Sequence, residues 1–356
     1  MAKPANFLTL RNQKICLPLD IHAISRLKEL TSDKERPIAI LLHTNPDGDS
    51  AGSSLGLYGY FKNDGHTRVQ VISPDVLPHF LQWMPWSDSI VVASKESNLA
   101  ETIIAESDVL FCLDFNGFSR VNSLESALSR SSGTKVLIDH HPNPSGEFDL
   151  IFSNPDTSSA AELLYKVLIA LDGEDKVTKP IAECLYAGII TDTGSFSYGC
   201  IYPDTYIITS KLIALGVDGE KIQRKIYNTH TFSRMRLLGY SIGQKLELLE
   251  QGHAAFISLT QAELEQFEHQ PGDTEGFVNY ALKINGIKLA AIFIEKSGYV
   301  KISFRSSDEV DVNLFARQYF NGGGHKNASG GKYFGSLDDA LIAFRNLANP
   351  FISQYL

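Results

Sequence analysis

Four stretches of this chain place carboxylates and imidazoles where the backbone is expected to change direction. The first is His43-Thr44-Asn45-Pro46-Asp47-Gly48-Asp49-Ser50, where three ligand-type side chains crowd around Pro46 and Gly48, residues that force a tight loop. Asp47 and Asp49, two apart around a glycine, point to neighbouring positions. A single metal ion needs one of them, and a pair of ions can use both. The competing reading is an Asp-Gly turn entering a helix, with Asp49 or Ser50 as its cap. The other stretches shift the balance. Asp114 follows Val-Leu-Phe-Cys-Leu, Asp139-His140-His141 follows Lys-Val-Leu-Ile, and Asp192 follows Ala-Gly-Ile-Ile-Thr. Lone buried carboxylates are costly unless paired or metal-bound. Several of them delivered to one sheet edge together with histidines therefore predict a cation cluster. Carboxylate and imidazole without thiolate favour manganese or magnesium, are compatible with iron, and disfavour structural zinc.

The elements that must position these residues alternate. Pro37–His43, Val69–Ser73, Ile90–Ala93, Val109–Asp114 and Val136–Asp139 are short apolar runs ending in polar residues, with helix candidates at Ala51–Lys62 and Leu99–Glu106. That rhythm predicts an α/β fold, a parallel sheet with helices on both faces, whose chemistry gathers at the carboxyl ends of the strands. Two more helices are expected at Thr157–Leu171 and Lys179–Ile190. Lys221–Leu249 is charged and helical in pattern, with no strong turn before Gln251-Gly252. Beyond it, Ala254–Ser258, Leu289–Glu295 and Tyr299–Phe304 are strand-like, the last two joined by the turn Lys296-Ser297-Gly298. A helix candidate at Glu275–Ile284 separates the first of these strands from the other two, and the glycine-dense segment Asn321–Gly331 precedes a final helix at Leu337–Leu347. The expected organisation is a first domain over residues 1–220, a helical connector over 221–240, and a smaller mixed α/β domain over 241–356.

With 356 residues, 43% of them hydrophobic, the chain can build two packed cores. A net charge of −9 argues against coating long duplex nucleic acid, which rests on many Lys/Arg–phosphate contacts. No apolar run approaches a membrane span. Met1-Ala2-Lys3-Pro4 has no apolar stretch behind it, so no signal peptide is expected and a cytoplasmic location is. The scattered Cys16, Cys112, Cys184 and Cys200 form no CxxC pair and are expected as buried or free thiols. The remaining histidines (22, 66, 79, 230, 253 and 269) have no ligand-type neighbours at useful spacing, and Trp83 and Trp86 are expected to pack a loop.

The ordered set of motifs resembles the DHH phosphoesterase superfamily. His43–Asp49 is similar to its first motif, Asp114 to its second, Asp139-His140-His141 to its third, and Asp192 in Thr-Asp-Thr-Gly to its fourth. Gly322-Gly323-Gly324-His325-Lys326-Asn327-Ala328-Ser329-Gly330 resembles the GGGHxxASG signature of the associated C-terminal domain. Within the superfamily, the length and motif set are most similar to the NrnA-type oligoribonucleases and 3′-phosphoadenosine-5′-phosphate (pAp) phosphatases. The resemblance implies two divalent ions, manganese first and magnesium as the alternative. His43, Asp47 and Asp114 would hold one, and Asp49, Asp114, His140 and Asp192 the other, with Asp114 bridging. His141 would touch the scissile phosphate or its leaving oxygen, and Asp139 would orient a histidine. In the second domain Arg305, Gly323, Gly324, His325 and Ser329 are the implied substrate-binding residues, with Asn279 and Glu275 as weaker candidates on a helix. The implied substrates are short single-stranded RNA and nucleotides, with no membrane partner, and the resemblance leaves room for a homodimer. Three enzyme alternatives share the metal centre: a cyclic- or linear-dinucleotide phosphodiesterase, a RecJ-like single-strand DNA exonuclease, and a family-II inorganic pyrophosphatase, whose second domain lacks the GGGH signature. A nucleotide-binding sensor is the non-enzyme alternative, and it should have lost ligands.

Overall fold

In a computed structural model, residues 19–250, 253–307 and 309–356 are described. The expectations for Met1–Pro4, for Cys16 and for the turn Gln251-Gly252 lie outside the described residues. The chain divides into two compact units, Met1–Thr229 and His230–Leu356.

In chain order the first unit runs α1 (Ile21–Leu30), β1 (Ile38–Leu41), α2 (Gly48–Asn63), β2 (Val69–Ser73), β3 (Ile90–Val92), α3 (Ser97–Glu106) and β4 (Val109–Leu113). It continues with α4 (Glu125–Arg130), β5 (Thr134–Asp139), β6 (Leu150–Ser153), α5 (Ala160–Asp172), α6 (Lys179–Asp192), α7 (Pro203–Ala214) and α8 (Gly219–Tyr227). Six strands form one sheet in the order β3-β2-β1-β4-β5-β6, and every pairing is parallel. The strands read as continuous apolar runs because helices cover both faces. One core packs α1, α2, α5 and α6 against residues such as Ile40, Phe111 and Ile138. The other packs α3 and α4 against Ala39, Leu110 and Leu137. Strand order reverses between β1 and β4, and in such sheets ligands bind outside the carboxyl ends at that point. The loops after those two strands carry Asp47 and Asp114.

The second unit contains α9 (Phe232–Gln244), β7 (Leu246–Leu248), β8 (Ala254–Leu259), α10 (Gln261–Gln266), α11 (Phe277–Leu282), β9 (Leu289–Lys296) and β10 (Tyr299–Ser306). It ends with α12 (Val312–Tyr319), β11 (Gly323–His325), β12 (Ala328–Tyr333) and α13 (Leu337–Ile352). Its mixed sheet has the order β11-β12-β10-β9-β8-β7. An aromatic core of Phe256, Phe293, Phe304, Phe315 and Phe344 fills one face. The other face packs Ile257, Ala290 and Ile292 under α9–α11.

The helical pattern over Lys221–Leu249 is not one helix. It breaks after Tyr227, and Thr231 starts α9 by accepting the Arg234 N–H on its hydroxyl at 3.0 Å, a strong N-cap signal inside a charged run. Cys112, Cys184 and Cys200 are buried free thiols. No helix among the described residues is long and apolar enough to cross a membrane.

Candidate metal centre

Each ligand candidate of the first unit leaves the end of an element that fixes its direction. His43 lies two residues beyond β1 and is buried. Asp47 is the N-cap of α2, its Oδ1 accepting the Asp49 and Ser50 N–H groups at 3.1 and 3.0 Å. The cap expected at Asp49 or Ser50 is thus supplied by Asp47, which frees Asp49 to point elsewhere. Asp114 follows β4 in the left-handed region, with φ 63°, a strained conformation for a residue other than glycine. The Asp114 N–H donates to the Ile138 carbonyl at 3.1 Å, locking the turn to β5. Asp139 ends β5 fully buried, and His140 and His141 follow. Asp192 is the last residue of α6.

These residues converge on Asp114. His43 Nε2 lies 3.4 Å from Asp114 Oδ2 and 3.8 Å from Asp47 Oδ1. His140 Nε2 lies 3.6 Å from Asp114 Oδ1, 3.8 Å from Asp49 Oδ2 and 3.2 Å from Asp192 Oδ2. Each oxygen of Asp114 therefore faces a different histidine. Donor atoms of His43, Asp47 and Asp114 gather closely enough to hold one ion, and so do those of Asp49, Asp114 and His140.

Backbone groups aim the ligands. His43 Nδ1 bonds the Thr44 carbonyl at 2.9 Å and His140 Nδ1 bonds the Thr157 carbonyl at 3.2 Å. In both rings this fixes the tautomer and turns Nε2 inward. His141 Nδ1 is held at 2.8 Å by Asp139 Oδ1. Asp49 accepts the Ala160 and Ala161 N–H groups at 2.6 and 2.9 Å, so its carboxylate sits on the N-terminus of α5, where helix polarity favours negative charge.

The electrostatics suit a cation. Burial, and then the charges of Asp49, Asp47, Asp192 and Asp139, push the Asp114 carboxyl well above its ordinary range. Burial and the neighbouring Asp192 raise Asp49 to about 7, against the opposing pull of His140. Asp47 is held low; desolvation works against this, but His43, the Ser50 N–H and the charge of Arg120 outweigh it. Burial lowers His141 although Asp139 pulls the other way. Neither His43 Nε2 nor Asp114 Oδ1 forms a hydrogen bond, and both are buried. Buried carboxylates driven toward neutrality, with unbonded donor atoms facing them, fit a hard divalent cation.

Glycines allow α2 and α6 to cross close enough for Asp49 and Asp192 to meet. A Cβ on Gly52 would stand 2.5 Å from the Cys184 carbonyl, and one on Gly188 would stand 2.6 Å from Ala161 Cβ and 2.9 Å from Asp49 Oδ1. Overpacking of this kind costs about 1–3 kcal/mol. Gly188→Ala is therefore expected to lower thermal stability and to weaken metal uptake by displacing Asp49. Melting curves with and without added metal measure both effects, and a native response in each would refute the steric argument.

In the second unit, Arg305 lies within β10, opposite Ala328 of β12, and Ala328 lies opposite His325 of β11. Arg305 and His325 thus share a row and a sheet face, about two strand spacings (roughly 10 Å) apart with a small residue between. Ser329 donates its hydroxyl to the His325 carbonyl at 2.8 Å, and the Gly324 N–H donates to Asn313 Oδ1 at 3.1 Å. The glycine-dense segment is a tight hairpin, and two of its glycines serve the hairpin itself. A Cβ on Gly322 would stand 1.9 Å from the Gly330 carbonyl, and Gly324 has φ 147° with the Ala328 carbonyl 2.7 Å from its Cβ position. Glu275 precedes α11, whereas Asn279 lies inside it.

Trp83 donates to the Phe80 carbonyl at 2.7 Å under Lys225, and Trp86 packs against Gly59, so both tryptophans pack as expected. Three features of the site went unread in the sequence. Arg120 has an exposed side chain whose charge bears on Asp47 and His141, and its carbonyl accepts the Thr44 N–H at 2.8 Å. The Thr157–Ala161 segment orients His140 and Asp49 through backbone groups, which leave no side-chain signature. Gly48, Gly52 and Gly56, four apart, were legible as a close-packing stripe.

Residues 37–189 match the DHH family N-terminal domain and residues 254–354 match the DHHA1 domain. The bifunctional oligoribonuclease and PAP phosphatase NrnA of Bacillus subtilis is 33% identical over 302 residues, 84% of this chain and 89% of that protein. The crystal structure of an exopolyphosphatase-related protein from Bacteroides fragilis is 35% identical, covers 96% of this chain and 98% of that one, and superposes with a TM-score of 0.88. RecJ from Thermus thermophilus, solved in complex with Mn2+, shares the fold at a TM-score of 0.59 and 15% identity, over 96% of this chain and 56% of that one. With both domains matched in order, and with acidic and histidine ligand candidates gathered at the strand ends of the first, this chain belongs to the DHH family of phosphoester hydrolases.

Proposed function

We propose that this chain is a manganese-dependent phosphoesterase with a two-ion centre, hydrolysing short oligoribonucleotides to mononucleotides and pAp to AMP and phosphate. The double use of Asp114, one oxygen toward His43 and the other toward His140, carries the reading. In this reading His43, Asp47 and Asp114 hold one ion, and Asp49, Asp114, His140 and Asp192 hold the other. The oligoribonuclease and PAP phosphatase activities of the Bacillus subtilis relative and the manganese bound to RecJ support the substrate and the metal. Two such ions supply an activated water at neutral pH and neutralise charge on the phosphoryl oxygens. His141, its Nδ1 held by Asp139, presents Nε2 to the scissile phosphate or the leaving oxygen. Arg120 adds a guanidinium for the phosphoryl group, a planar fork matched to its oxygens. Arg305, Gly323, Gly324, His325 and Ser329 bind the part of the nucleotide remote from the reacting bond.

The acidic balance restricts the number of phosphate contacts, so affinity gains little from a longer strand. At equal concentration of ends, RNA of about two to five nucleotides should turn over faster than one of about 20. Release of nucleotide and phosphate from pAp, graded RNAs, linear and cyclic dinucleotides and pyrophosphate tests the reading. Equal or faster cleavage of the long strand would support a RecJ-like exonuclease instead.

The raised carboxyls make metal binding depend on pH. In the metal-free protein Asp49 titrates near 7 against an ordinary 3.8, and Asp114 is shifted the same way. A folded-state value above the unfolded one gives stability that is complete below about 3.8 and lost as pH rises through about 7. Bound cations reverse this, because they take the carboxylates ionised and release protons. The manganese-induced rise in melting temperature should therefore be larger at pH 8 than at pH 6. Equal rises at both would contradict the assignment of these carboxyls as ligands.

A further inference from the structure

A buried ion network lies beside the cluster of ligand candidates, on the far side of the segment that orients two of them. Glu162, in the first turn of α5, is fully buried. Its Oε2 accepts the Ser158 N–H at 3.2 Å, the Ser158 hydroxyl at 2.6 Å and the Thr205 hydroxyl at 2.7 Å. Its Oε1 pairs with Lys166 at 2.9 Å, and Lys166 pairs with Asp204 at 3.0 Å. Thr205 and Asp204 belong to the first turn of α7, so the network ties that helix to α5 and to the segment before it. An ion pair this buried stabilises little by itself, and removing one partner is costly. Its effect lies in the position of what it holds.

That segment holds two ligand candidates through its backbone. The Thr157 carbonyl fixes the His140 ring, and the Ala160 and Ala161 N–H groups hold both oxygens of Asp49. Glu162 grips Ser158, between those two anchor points, from both its N–H and its hydroxyl. Ser159 closes the turn by accepting the Glu162 N–H at 3.0 Å. His43 and Asp47 are oriented from elsewhere, by the Thr44 carbonyl and by the first turn of α2.

We infer that Glu162 is a positioning residue for one ion of the pair, setting the affinity of the Asp49–His140–Asp192 position through the Thr157–Ala161 backbone while leaving the His43–Asp47 position intact. The inference rests on the two-ion reading above. Losing an outer partner of this kind weakens metal affinity by about 10- to 100-fold.

Manganese titration of the full chain by calorimetry, with free ion followed by electron paramagnetic resonance, tests it. Wild type should take up two ions. Glu162→Ala should bind one with native affinity and the second at least about tenfold more weakly, with kcat recovering at high manganese and KM unchanged. Glu162→Gln keeps an acceptor for Ser158 and Thr205 and should recover much of the affinity. If Glu162→Ala does not fold, Thr205→Val removes one hydrogen bond without stranding a charge and should show the same selective weakening in smaller degree. Two native affinities in a folded Glu162→Ala, or in Thr205→Val where the former does not fold, would overturn the inference, as would equal weakening of both ions. A wild type that takes up fewer than two ions overturns the two-ion reading itself.

Discussion

Asp114→Ala should empty the metal centre and lower phosphoester hydrolysis by at least about a thousandfold, equivalent to about 4 kcal/mol of transition-state stabilisation. The expectation follows from position. Asp114 Oδ2 faces His43 and Oδ1 faces His140, so one side chain belongs to both groupings of ligand candidates. Asp49→Ala removes a ligand candidate from one grouping only and leaves His43, Asp47 and Asp114 together. Metal content per chain should therefore fall further in Asp114→Ala than in Asp49→Ala. A second measurement separates ligand loss from unfolding. The ionised form of Asp114 is disfavoured by burial and by four neighbouring aspartates in the metal-free protein, so a side chain that stays uncharged costs nothing there. Asparagine also tolerates the left-handed backbone at this position. In excess chelator, Asp114→Asn should melt at or above wild type, and with manganese it should melt below. Retention of two ions by Asp114→Ala would remove Asp114 from its bridging place.

The acidic strand ends were legible because a carboxylate directly after a buried apolar run has few cheap explanations. Strand order was not legible, since β1 pairs with both β2 and β4 through long-range contacts. The edge strand Leu150–Ser153 escaped notice because it is four residues long and only Phe152 is buried. Helix α2 starts at Gly48 rather than Ala51 because Asp47 caps it, and the same contact frees Asp49 for the N-terminus of α5. In the second unit, Gly322 and Gly324 are required by the hairpin backbone itself. The placement of these side chains at element ends was thus readable in advance, whereas orientation by carbonyls and N–H groups was not.

Chemistry and recognition should come apart in Arg305→Ala and His325→Ala. Both residues belong to the unit that carries none of the six ligand candidates, His43, Asp47, Asp49, Asp114, His140 and Asp192. Their removal should therefore leave metal content per chain unchanged. Arg305 and His325 share one row of the second sheet with Ala328 between them. A charge-assisted contact is worth about 1.5–3 kcal/mol, so losing one or two lowers kcat/KM on pAp and dinucleotides by one to several orders of magnitude at about 1.4 kcal/mol per tenfold. KM should rise most, and kcat should fall as well where remote binding aligns the reacting phosphate. A small activated diester such as bis-p-nitrophenyl phosphate offers no nucleotide to hold, and both variants should keep most of their activity on it. His140→Ala, by contrast, should lose activity on the nucleotides and the small ester alike. If Arg305→Ala and His325→Ala depress both substrates equally, or strip the metal, these two residues do not serve substrate recognition.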